Sequence, residues 1–167
     1  MYNRFGEMDS AGEMNQKAAE LKMKGDKEAL IALALENGLD KEDAEEYLDD
    51  EVPELATELQ AAIGKLNAES KDLKLSGVLM DMVTELMDLC TTNRDLCRAV
   101  RRREKDLAGY LAEVAEAGYK SRCIVHKRIV ERTRQIKSIV GKHEFAIGVP
   151  DKQTRRKLAL SYWGVKE

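Results

Sequence analysis

Apolar residues recur at three- and four-residue spacing along most of the chain, which is the signature of amphipathic helices. Met14, Ala18 and Leu21 mark a first helix between Ala11 and Lys24, and Gly25-Asp26 serves as stop and restart. The second helix, to about Glu36, is apolar around much of its circumference through Leu30, Ile31, Leu33, Ala34 and Leu35, so it belongs at the centre of the N-terminal packing. Asn37-Gly38 ends it and Asp40 is placed to cap the next helix, which carries Ala44, Tyr47 and Leu48 on one face. Pro53 fits a further helix start, continued by Leu55, Leu59, Ala62, Ile63 and Leu66. Gly64 is either tolerated inside that helix or ends it, and the polar run 67–74 reads as its end or as a linker.

The second half repeats the pattern. Ser76 is the expected cap of a helix whose buried stripe is Leu79, Met82, Val83, Leu86, Met87 and Cys90. After a turn at Thr92-Asn93, Leu96, Val100, Leu107, Leu111 and Val114 mark a long helix ending near Gly118. Its stripe is interrupted at 101–105, where a kink, a break or a protruding basic ridge each fits. A helix is predicted over 121–140, with Val125, Ile129, Ile136, Ile139 and Val140 inward and Lys127, Arg134 and Lys137 opposite; Arg132 falls on the apolar side. Residues 144–149 alternate weakly and suggest one short strand with no evident partner. Pro150-Asp151 then opens a closing helix anchored by Leu158, Leu160 and Trp163. The expected fold is mainly α: a compact multi-helix domain with one short strand near 144–149. Its expected organisation is a flexible lead over 1–10, a helical lobe over 11–74 and a second lobe over 75–167 packed with it in a single domain.

Charge distinguishes the two lobes. The net charge is only −3, yet residues 1–90 hold 22 Asp and Glu against 9 Lys and Arg, while residues 91–167 hold 9 against 19. Opposite fields on two parts of one molecule fit a charged partner, complementarity within the chain, or self-association. The acidic extreme is the third helix, where Glu42, Asp43, Glu45, Glu46, Asp49 and Asp50 cover the side away from Ala44, Tyr47 and Leu48. These six are the candidate partner-binding face, with Asp43, Glu46 and Asp50 expected along one exposed side. On the basic half, Arg98, Arg101, Arg102, Arg103, Lys127, Arg134, Lys137, Arg155 and Arg156 are the candidate nucleic-acid contacts.

Catalytic signatures are missing: the chain has no phosphate-cradling glycine loop and no HExxH, and His126 and His143 are its two histidines. Consecutive carboxylates on a helix point apart, which suits a solvated face better than acid–base chemistry. Cys90, Cys97, Cys123 and His126 can be written as a four-ligand zinc set, but the spacing is wide and Cys90 and Cys97 occupy apolar positions. The reading is of a non-enzyme with no metal and no cofactor. No apolar run approaches the roughly 20 residues of a membrane span, no secretion signal is evident, and three cysteines make no disulfide framework, so a cytoplasmic location in a bacterial host is expected.

Five short stretches add a resemblance. Gly25-Asp26 with Leu30, residues 36–40 (ENGLD), 61–65 (AAIGK), 99–102 (AVRR) and 147–150 (IGVP) resemble small proteins encoded on mobile elements, phages and plasmids of gut Firmicutes. Some proteins of that setting act as anti-CRISPR inhibitors of Cas9. The resemblance implies a chain that binds a macromolecule and has no chemistry of its own, the partner being a Cas9-type nuclease with or without its guide RNA. Fixed carboxylates in a cationic nucleic-acid channel would act there as phosphate mimics. A nucleic-acid-binding accessory or regulatory protein of a mobile element is the alternative.

Overall fold

The computed structural model of the protein describes residues 4–166, so the first three residues of the expected N-terminal lead lie outside the described residues. Most helices begin where a side chain satisfies the free N–H groups of a first turn. Ser10 caps α1 (Ala11–Met23), Asp26 caps α2 (Lys27–Glu36), and Asp40 precedes α3 (Lys41–Leu48). Thr57 caps α4 (Glu58–Asp72), with Gln60 reaching back to the Thr57 N–H. Gly77 leads into α5 (Val78–Thr92), Asn93 caps α6 (Arg94–Arg101) and Asp106 caps α7 (Leu107–Lys120). A two-residue strand β1 (Cys123–Ile124), two short helices α8 (Lys127–Val130) and α9 (Gln135–Val140), and a strand β2 (Ala146–Ile147) follow. Asp151 then caps the closing helix α10 (Lys152–Trp163).

The mainly α fold stands, and the expected short strand at 144–149 is β2. Its partner is β1, antiparallel, with Cys123 opposite Ile147 and Ile124 opposite Ala146. That pairing lies inside the segment expected to be one helix over 121–140, which instead breaks into β1, α8 and α9. The apolar spacing there never finds a core: Ile129 and Ile139 are 59% and 83% exposed, and Val125, Ile136 and Val140 are only half-buried.

Three boundaries also differ from expectation. Pro53 does not open a helix; the chain at 51–56 is irregular, burying Leu55 and Ala56, and α4 starts at its Thr57 cap. The polar run 67–74 does hold the end of the helix, but only at its close, because Glu69 and Ser70 face inward and α4 continues to Asp72. Gly77 rather than Ser76 precedes α5, in a positive-φ conformation (57°) that glycine adopts without strain. At 101–105, where the sequence left a kink, a break or a ridge open, the chain breaks: α6 ends before Arg102, whose backbone is extended, and α7 starts at the Asp106 cap.

Buried residues form two clusters that meet within α4. One gathers Met14, Leu30, Leu33, Ala44, Tyr47 and Leu55 with Ala61; the other gathers Leu66, Val83, Leu86, Leu96, Val100 and Trp163 with Ala62. The joint is tight enough to explain Gly64 inside a helix. A Cβ on Gly38 would lie 1.9 Å from the Gly64 carbonyl oxygen, and a Cβ on Gly64 would lie 2.5 Å from that of Asn37. Only hydrogen fits on either side of this contact.

Two cations complete the joint. Arg101 is 1% exposed and donates to Asn37 Oδ1 and to the Ala61 carbonyl. Lys65, 2% exposed, donates to the carbonyls of Arg102 and Lys105 in the link between α6 and α7, and pairs with Glu7 (2.8 Å) and Glu69 (3.7 Å). Glu69 in turn accepts the Leu107 N–H (2.7 Å) at the start of α7. Burial raises the Glu69 carboxyl above the usual Glu range, against the lowering effects of that hydrogen bond and of Lys65. Residues 4–10 are held against the same region: Met8 is buried, and Asp9 accepts the Arg103 N–H. No helix among the described residues is long and apolar enough to cross a membrane.

Candidate functional site

The acidic face is built on α3 and the turn after it. Between Asp40 and Glu58 the chain has ten carboxylates and one lysine, Lys41. Ala44 and Tyr47 are buried against the N-terminal cluster, which turns Glu42, Glu45, Glu46 and Asp49 to solvent. The outer stripe is therefore Glu42, Glu46 and Asp49, at i, i+4 and i+7, and not the Asp43, Glu46, Asp50 line read from the sequence. Asp43 is half-buried and accepts the Asp40 N–H at 2.9 Å and the Gln60 side-chain amide at 3.4 Å, so its role is to start the helix. Asp50 lies beyond the helix end at φ 61° and pairs with Lys22. Glu45 pairs with Lys41. Glu42, Glu46 and Asp49 make no ion pair among the described residues, and Glu51 and Glu54, which the sequence reading left out, extend the exposed acidic surface past the helix.

The basic candidates sort into three groups of different availability. Arg98 shares Glu58 with Arg94, and the two hydrogen bonds, Arg94 first, hold that carboxyl below the usual Glu range. Arg101 is buried in the joint and has no surface to offer a nucleic acid, contrary to its expected role. Arg103 pairs with Asp9 and Glu13, while Arg102 is exposed. In the second group, Arg155 does not face a partner either: it forms a two-pronged pair with Glu85 (2.8 and 2.7 Å) that joins α10 to α5 and lowers the Glu85 carboxyl. Its neighbour Arg156 is exposed. The third group, Lys127, Arg134 and Lys137, stands wholly on the surface. Lys120, Arg122, Arg128, Arg132 and Lys142 stand with them. The signal in the sequence for that larger set is the scarcity of carboxylates between 119 and 149.

Cys90 and Cys97 are buried together, with the Cys97 thiol donating to the Cys90 carbonyl at 3.1 Å. A hydrogen bond with Cys97, together with burial, pushes the Cys90 thiol up. Cys123 is exposed on β1, and His126 Nδ1 accepts the Arg128 N–H as the cap of α8. The four therefore serve separate local roles. No group of three or more His, Cys, Asp or Glu is poised to hold a metal among the described residues.

A cleft of about 480 Å³ lies among α5, α7 and α10, lined by Leu86, Leu89, Tyr110 and Ala159 with Lys152 and Arg156 at its charged side. Tyr110, its hydroxyl against the Arg155 carbonyl, is pushed up to about 12 by burial and remains a neutral phenol. Glu85 and Asp88 line it too, so the cleft combines apolar surface with charge of both signs. Comparison with protein-family models, curated proteins and solved structures returns no match.

Proposed function

We propose that the protein is a non-catalytic macromolecule-binding protein, an inhibitor that seats its acidic face in a cationic nucleic-acid channel of a Cas9-type nuclease. The observation that carries this reading is the outward stripe of Glu42, Glu46 and Asp49, continued by Glu51 and Glu54, on a helix pinned by buried Ala44 and Tyr47. Fixed carboxylates on a rigid element present charge to a basic channel without ordering it first, as phosphates do. The resemblance of the five short stretches noted above supplies the class of nuclease.

The test is cleavage of target DNA by a panel of Cas9-type nucleases loaded with guide RNA, with and without the protein. The expected result is inhibition by the wild-type chain of at least one nuclease, and its loss in the E42K/E46K/D49K variant, more sharply at low salt. Circular dichroism and melting confirm that the variant stays folded. No inhibition of any nuclease in the panel, or full inhibition by the charge-reversed protein, overturns the reading. A second reading, a nucleic-acid-binding accessory protein of a mobile element, is favoured by one observation: the exposed cations between 119 and 149, of which Lys127 alone is in an ion pair among the described residues.

A further inference from the structure

We infer that residues 119–149 form a nucleic-acid-binding module that grips a phosphodiester backbone. The inference deepens the second reading and does not require nuclease inhibition. It starts from where the fold uses its positive charge. On α4, α6, the link after α6, and α10 the fold engages several of its cations internally: Lys65 and Arg101 are buried, Arg94 and Arg98 hold Glu58, Arg103 holds Asp9 and Glu13, and Arg155 holds Glu85. Residues 119–149 contain eight Lys and Arg against two Glu, Glu131 and Glu144. One ion pair forms there, Lys127 with Glu131 at 3.8 Å, between side chains that are 86% and 51% exposed. Lys120, Arg122, Arg128, Arg132, Arg134, Lys137 and Lys142 have no carboxylate within ion-pair distance among the described residues.

The build of the segment supports the same conclusion. None of residues 121–149 is buried, so these cations are not a by-product of core packing. The segment is nonetheless anchored: a Cβ on Gly148 would lie 1.9 Å from the Gly118 carbonyl oxygen, Pro150 is buried, and β1 pairs with β2 across the base. A firm base thus presents an outlying body of positive charge. Tyr119 sits at that base with 64% of its surface exposed and the Arg122 guanidinium 4.0 Å from its ring centroid. An exposed aromatic ring with an adjoining guanidinium is a stacking platform for a base, beside cations spaced for phosphates.

Five aliphatic residues, Ile124, Ile129, Ile139, Ile147 and Val149, are also exposed. A protein surface of carboxylates among apolar side chains would cover these as well and is the rival occupant. Phosphate is favoured because the excess is of charge: nearly every cation lacks a counter-ion, whereas each exposed aliphatic residue is separated from the next along the chain by polar, half-buried or glycine positions.

The experiment is fluorescence anisotropy of the full chain with labelled single-stranded RNA, single-stranded DNA and duplex DNA of equal length, without nuclease. Binding of at least one is expected, weakening on the order of a hundredfold between about 50 and 200 mM salt, as displacement of about four phosphate counter-ions requires. The three probes separate RNA from DNA as the source of the backbone. The R128Q/R132Q/R134Q/K137Q variant should lose most of the affinity and flatten the salt slope. A matched variant on the other lobe, K24Q/K27Q/K71Q/K74Q, removes the same charge and should retain affinity. Y119A should weaken the single-stranded probes more than the duplex. No binding to any probe at low salt, or equal losses in the two quadruple variants, overturns the inference. Losses in I129S and I139S that exceed those of the module's charge variant also overturn it, because apolar contacts and not phosphates would then carry the binding. Nucleic-acid binding without nuclease inhibition sinks only the inhibitor reading.

Discussion

The joint between the two clusters and the segment 121–149 are both rich in cations, and they use them in opposite ways. At the joint, Lys65 and Arg101 are almost fully enclosed, and backbone carbonyls, Asn37, Glu7 and Glu69 surround them. In 121–149 every charged side chain faces water and the segment has no buried residue. Charge in the first region specifies the fold; charge in the second is available to a partner. A net-charge map of the sequence cannot separate the two, because burial is what distinguishes an arginine that clamps a helix end from one that meets a phosphate.

Removing one member of a buried polar set tests this contrast most severely. Arg101→Ala should cost about 2–5 kcal/mol in urea unfolding, since it opens a cavity and removes the donor to Asn37 Oδ1 and the Ala61 carbonyl, whereas Arg134→Ala should stay within about 0.5 kcal/mol of the wild type. Comparable losses in the two variants would break the comparison. The glycines sharpen it next. Gly38→Ala forces a Cβ onto the Gly64 carbonyl at φ 76°, while Gly141→Ala, at φ 59° within the exposed segment, meets nothing within 4 Å. Both incur backbone strain of about 1–3 kcal/mol, and the overlap adds to the first alone, so Gly38→Ala should melt lower.

Stability against pH gives a smaller effect with a definite sign. The Glu69 carboxyl is raised in the folded protein, so the folded state binds its proton more tightly than the unfolded state does. Its contribution favours folding at pH below the ordinary Glu value of 4.5 and is lost as pH rises from there through the folded value. Glu69→Gln should flatten that decline. Glu85, lowered first by its hydrogen bond with Arg155, behaves oppositely: its contribution is present above 4.5 and lost as pH falls through the depressed value. Glu85→Gln should flatten the acid limb, read by melting temperature across pH. The smallest expected effect is that of Ile139→Ser: at 83% exposure the side chain has little burial to lose, and the melting temperature should hold.

Helix positions were legible wherever an apolar stripe coincided with a real core. Met14, Ala18 and Leu21 on α1, and Met82, Val83, Leu86 and Cys90 on α5, are buried as their spacing implies. Asp40 and Asn93 were readable as helix starts because a short polar side chain before an apolar run has one obvious use. The same logic misled over 121–140, where Val125, Ile129, Ile136 and Ile139 keep helical spacing but no neighbouring element covers them, so local turns and a strand pair prevail. It misled again at Glu69 and Ser70, polar residues turned inward by the joint. The acidic face was visible as composition, but its orientation was off by one position, because Asp43 is engaged in starting the helix and Asp50 falls past its end. Arg101 could not be told from Arg102 by residue type; the difference appears only once α4 and α6 are in contact.

The meeting of Gly118 and Gly148 has a consequence for the order of folding. The chain leaves α7 and re-enters α10 at one point, and those helices pack on each other as far as their opposite ends, where Tyr110 meets Trp163 with ring centroids 5.2 Å apart. Everything between is a loop to be closed before α10 can dock. Closure entropy grows only with the logarithm of length, so halving the segment changes the barrier by about 0.6 kcal/mol, or roughly threefold in rate. Its length and residues are thus nearly invisible to the folding of the helices beneath, and mutation can reshape its charged surface with little kinetic penalty to the core.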